Sequence, residues 1–101
     1  MTWANLMNSL DQGGEGGFYH AETDGHGGRR VTLTLICLTY ADGDTWEAGL
    51  KCTSRARSSR RSVLVEAPTR RGALTSLGRI VRPHAKFFGL DAGSAREDAG
   101  Q

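Results

Sequence analysis

Residues 54–61 read SRARSSRR: four arginines set among serines and one alanine, with no large apolar side chain between them. Guanidinium groups carried on so short a polar run suit contact with phosphate oxygens, which calls for permanent charge and fork-shaped donors. Arg55, Arg57, Arg60 and Arg61 are therefore the first candidates for a nucleic-acid-binding site. Arg70 and Arg71 follow them at the start of a helical pattern, where unpaired helix-start amides add to phosphate attraction. The run contains no aromatic residue, which favours backbone contact over base reading. Tyr19 and Tyr40 are the candidates for base stacking, provided they lie on an open sheet face.

The cations are unevenly distributed. Residues 51–86 hold ten of them (Lys51, Arg55, Arg57, Arg60, Arg61, Arg70, Arg71, Arg79, Arg82, Lys86) against one acid, Glu66. The net charge of the whole chain is only +2, so a basic surface has to be assembled by the fold. Arginine outnumbers lysine eleven to two, a bias that a GC-rich coding sequence also produces and that carries no weight alone.

Other chemistries find less support. Glu22, Asp24 and His26 fall within five residues in ETDGHGG, as acid and base groups do in a polar turn, and no nucleophile elbow accompanies GHGG. GEGG lacks the lysine and helix start of a phosphate loop. His20, His26 and His84 with Cys37 and Cys52 are ligand types for zinc, yet no C-x-x-C or H-x-x-x-H pair occurs. The expectation is a protein that binds rather than catalyses, without metal or cofactor.

The elements that must carry these residues follow from hydrophobic period. Trp3, Leu6, Met7 and Leu10 mark one face of a short helix over residues 1–11, with Thr2 as N-cap. Two turns of helix are unstable alone, so this stripe must dock on its own sheet or on a second molecule. A glycine-rich linker, 12–17, precedes a single domain over 18–90, and 91–101 is a small, polar tail expected to be disordered. Strands are expected at 17–24, 29–40, 45–53 and 62–68, with GHGG as a turn and the arginine run joining the last two strands. With Asp42-Gly43 at the tip of the central hairpin, Leu33 faces Cys52, Leu35 faces Leu50, and Val31 and Cys37 share their apolar side. Cys37 and Cys52 are then offset by roughly 13 Å, beyond the ~7 Å reach of a disulfide, and both are read as buried free thiols.

Thr69 caps a helix over residues 70–82 with Leu74, Leu77 and Val81 as its apolar stripe and Ile80 at the edge. Pro83 ends it, and Phe87, Phe88 and Leu90 close the fold in a last helical turn. The architecture expected is α+β: a short N-terminal helix, a four-stranded antiparallel β-meander, and a C-terminal helix packed on one face of the sheet.

No apolar run approaches the 18 residues of a membrane span, and no signal-peptide or lipidation pattern is present. With reduced thiols, that reads as a cytoplasmic protein. Two functions are carried forward. The first is binding of DNA or RNA through the arginine-rich loop and the adjacent helix N-terminus. The second is a protein-interaction module, such as a small regulator or inhibitor of a larger complex of the kind phages encode. Its interface would comprise Trp3, Leu6, Met7 and Leu10 with Ile36, Leu38 and Tyr40, and an exposed edge strand could make a homodimer.

Overall fold

Alternation of Val31, Leu33 and Leu35 with Thr32 and Thr34 drives one side of a long strand into a core and leaves the other toward solvent. The structure, a computed structural model that describes residues 1–10, 17–54 and 59–92, builds its centre on that strand. Helix α1 (Trp3–Asn8) is followed by strands β1 (Phe18–Asp24), β2 (Arg29–Tyr40), β3 (Gly43–Ser54) and β4 (Ser59–Ala67). Helix α2 (Arg70–Val81) and a 3₁₀ segment (Arg82–Phe88) follow, and a 3₁₀ turn (His26–Gly28) links β1 to β2. The strands form one antiparallel sheet in the order β1-β2-β3-β4, with α2 packed against β3 and β4. The α+β meander expected from the sequence is the observed architecture.

The central hairpin corrects the expected register. Tyr40 pairs with Gly43, so Ala41 and Asp42 form the tip, and Leu33 faces Leu50 rather than Cys52. Gly43 opens β3 at φ 133°, a backbone that side-chain-bearing residues rarely adopt, which lets the strand leave the turn one residue earlier. Partners shift by two positions, an even number, so each side chain keeps its expected face. Cys52 now lies opposite Val31 and Cys37 opposite Trp46. Six residues separate them along the strand, about 20 Å, and both thiols are free.

The inner face of the sheet meets the helices in one core. Val31, Leu33, Leu35, Leu50 and Ala48 are buried against Leu6, Ala73, Leu77, Val81 and Leu90. Thr2 caps α1 reciprocally with Asn5, and Trp3, Leu6 and Leu10 are buried within the chain itself, while Met7 is half-buried. The α2 stripe is rotated from the expected one: Ala73, Leu77, Gly78 and Val81 are buried, Leu74 is half-buried, and Ile80 is exposed. α1 causes the difference, because Leu74 turns toward Trp3 and Met7 in the groove between the helices.

The start of the chain meets residue 91. Asp91 forms a parallel bridge with Thr2, its N–H donates to the Met1 carbonyl (2.9 Å), and its carboxylate binds the Met1 amino group (2.6 Å) and His26. Gly25 passes so close to Gly89 that a Cβ there would stand 2.5 Å from the Gly89 carbonyl oxygen. Residues 11–16, holding most of the expected linker, and 93–101, holding most of the expected tail, lie outside the described residues.

Candidate nucleic-acid interface

β4 determines where the arginines can be. Ser59 pairs with Ser54 at one end of the strand, and α2 begins just past Ala67 at the other. Nine strand residues separate the two ends by roughly 27 Å. The β3–β4 loop and the α2 N-terminus, expected to act side by side, therefore stand at opposite ends of β4. Arg55 and Arg57 lie outside the described residues.

Arg60 and Arg61, adjacent in sequence, point to opposite faces of the sheet. Arg60 is exposed on the open face, in register with Thr53. Arg61 projects from the helical face, where its Nη1 donates to the Phe87 carbonyl (2.6 Å) and its guanidinium covers the Phe87 ring at 4.1 Å. It fastens the 3₁₀ segment to the sheet, so its donors are partly committed to the fold.

At the other end, Arg70 lies over the Tyr19 ring at 4.6 Å, and Tyr19 tilts against Trp46 at 6.2 Å between ring centres. Tyr19 thus belongs to the helical face, not to the open face that base stacking would need. Tyr40 does project from the open face and is exposed. Arg71 is exposed on the first turn of α2. The α1–α2 groove, about 400 Å³, is lined by Arg70, Arg71 and Arg82 together with Trp3, Met7 and Leu74.

Carboxylates are unevenly divided between the two layers. Residues 67–90 contain no carboxylate, and neither do residues 1–10. The helical layer accordingly presents Arg70, Arg71, Arg79, Arg82 and Lys86, with Asp91 at its margin held by Met1 and His26. The amino group and His26 keep the Asp91 carboxyl below the ordinary carboxylate range. Among the described residues, the other acids lie elsewhere. Glu22, Asp24, Glu47 and Glu66 are on the open face, and Asp42 and Asp44 stand exposed at the hairpin tip. Arg30 on that face is occupied by Glu22 and Asp24. Hydrogen bonds from Arg30 and then His20 lower the Glu22 pKa, and Glu22 in turn raises that of Arg30.

Arg79, Arg82 and Lys86 lie outside the arginine-dense run that marks the loop as a site. The signal that marks them is not local density but the acid-free stretch from 67 to 90. The remaining expected interface residues divide in the same way. Trp3, Leu6 and Leu10 are buried in the core, whereas Ile36, Leu38 and Tyr40 share the uncovered sheet face with the exposed Phe18 and Leu64. No group of three or more potential metal ligands occurs among the described residues. Compared with protein-family models, curated proteins and solved structures, the chain matches none.

Proposed function

We propose that this protein binds nucleic acid, without catalysis, by laying its helical layer along a phosphate backbone. Arg70, Arg71, Arg79, Arg82 and Lys86 are the contacts. The exclusion of carboxylates from the described interior of a helical layer that carries five cations, with the strand carboxylates on the open face and hairpin tip, carries this reading. Among the described residues such a layer sets no carboxylate between its cations, so it attracts a polyanion although the net charge is only +2.

The test is the salt dependence of binding to a labelled duplex and a single strand, read by fluorescence anisotropy. Five phosphate contacts on duplex DNA give a slope of log K against log salt near −4.5. Replacing Arg71 and Arg79 by alanine should flatten it by about 1.8. Lys51→Ala, on the open face, should leave it unchanged. Absence of binding at low salt, or equal effects from both faces, overturns the proposal.

A second reading, a protein-interaction module, is favoured by the uncovered sheet face. Leu64 and Tyr40 are exposed there, with Ile36 and Leu38 half-buried. Leu38→Glu distinguishes the two: it should leave nucleic-acid binding intact and abolish capture of a protein partner through that face.

A further inference from the structure

β4 ends the sheet, and among the described residues no strand pairs with its outer edge. An edge like this offers unpaired N–H and C=O groups to another strand, and proteins blunt such edges with short length, charged side chains, proline, bulges or a covering element. β4 is neither short nor interrupted by proline or a bulge, and its protection rests on the charged Arg60, Arg61 and Glu66, which a partner of complementary charge can neutralise. The strand is nine residues long, pairs one-to-one with β3 from Ser59 to Ala67, and meets proline only at residue 68. The other edge, β1, is shorter at seven residues and carries His20, Glu22 and Asp24 along its open side.

Two charged residues of β4 lack a suitable neighbour among the described residues. Glu66 pairs directly with Glu47 on the open face, an unfavourable like-charge juxtaposition. Arg60 pairs with Thr53, and among the described residues neither Arg60 nor Glu66 enters an ion pair. Both project from the same face, six positions apart, with Val63 midway.

We infer that β4 pairs antiparallel with β4 of a second copy across a two-fold axis at Val63. Each Arg60 then lies beside the second copy's Glu66. An antiparallel pair that keeps both open faces on one side must be centred on a residue. Centring on Arg61 opposes two arginines. Centring on Ser62, Leu64 or Val65 leaves Arg60 and Glu66 facing uncharged residues. Only the Val63 register sets unlike charges opposite, and it does so twice.

The same register uses exposed apolar groups on both faces. Leu64, 64% exposed, lies diagonal to its own copy on the open side. On the helical side Val63 meets the second copy's Val63, and the exposed Phe87 ring, held under Arg61, comes next to the second copy's Val65. The product is an eight-stranded sheet with both helical layers on the same side. This inference does not depend on nucleic-acid binding.

Sedimentation velocity from micromolar to millimolar protein tests it. The parent should pass from monomer to dimer. Arg60→Glu and Glu66→Arg should each weaken the dimer by about tenfold, because one substitution turns two attractive pairs repulsive. The double reversal should restore it. Both side chains are exposed, so circular dichroism should show the native fold in every variant. Hydrogen exchange of the unsubstituted protein gives a second measure, since half of the β4 amides should gain protection with concentration. A monomer throughout, a dimer indifferent to the single reversals, a double variant as weak as the singles, or β4 exchange independent of concentration each overturns the inference.

Discussion

Gly78 sits in α2 beneath the indole of Trp3, and the two residues test how α1 is held. A Cβ at Gly78 would stand 2.8 Å from Trp3 Nε1 and 3.2 Å from Cε2, the first closer than real Cβ atoms approach any neighbour. Gly78→Ala brings two opposed effects. Helix propensity favours alanine by about 1 kcal/mol. Overpacking costs about 1–3 kcal/mol, and Trp3, only 4% exposed, would have to shift out of its packed position toward the groove it lines. The clash wins, with a net loss of about 1 kcal/mol. Trp3→Ala alone should cost about 3–5 kcal/mol through the cavity it leaves. In that background the clash is gone, so Gly78→Ala should change sign and stabilise by about 1 kcal/mol. The coupling energy of the cycle is therefore about 2 kcal/mol. Urea unfolding followed by far-ultraviolet circular dichroism, a probe common to all four proteins, measures it. A stabilising effect of Gly78→Ala in the parent, or the same effect in both backgrounds, would refute the docking of Trp3 on α2.

Burial pushes up the pKa of both thiols. Labelling at neutral pH should be slow, should reach the half-buried Cys37 before Cys52, and should total two equivalents on denaturation; an intact mass showing a disulfide would contradict the strand register. The Asp91 carboxyl titrates below its ordinary value because the Met1 amino group and His26 bind its charged form. A depressed folded pKa stabilises above the unfolded value of ~3.9 and is lost as pH falls through the lower folded value. Thermal melts of the parent and Asp91→Asn should therefore differ near neutral pH and converge in acid. A difference that persists undiminished in strong acid would remove the ion pair as its cause.

Much of the architecture was legible because hydrophobic period reports secondary structure directly. Alternation along residues 29–40 identified β2, the spacing of Trp3, Leu6 and Leu10 identified α1, and Thr69 marked the start of α2. The same alternation specified which face each strand residue takes, but pairing only to within an even shift, since a slip of two leaves every side chain on its side. Closure of the hairpin at Ala41-Asp42, with Gly43 at positive φ, decided the rest. Which side of α2 is buried depended likewise on a second helix, since Leu74 faces the α1 groove and not the sheet.

The candidate site was less legible. Sequence neighbours in an extended strand point opposite ways, so Arg60 and Arg61 part company, one to the open face and one onto Phe87. Residues joined by a strand stand at its two ends, so the arginine-rich loop and the helix N-terminus are far apart although only nine strand residues intervene. Composition determined that residues 67–90 carry cations and no acids. That these form one surface was decided by the tertiary fold, because the helical layer covers one side of the sheet and leaves the carboxylates of the strands on the other.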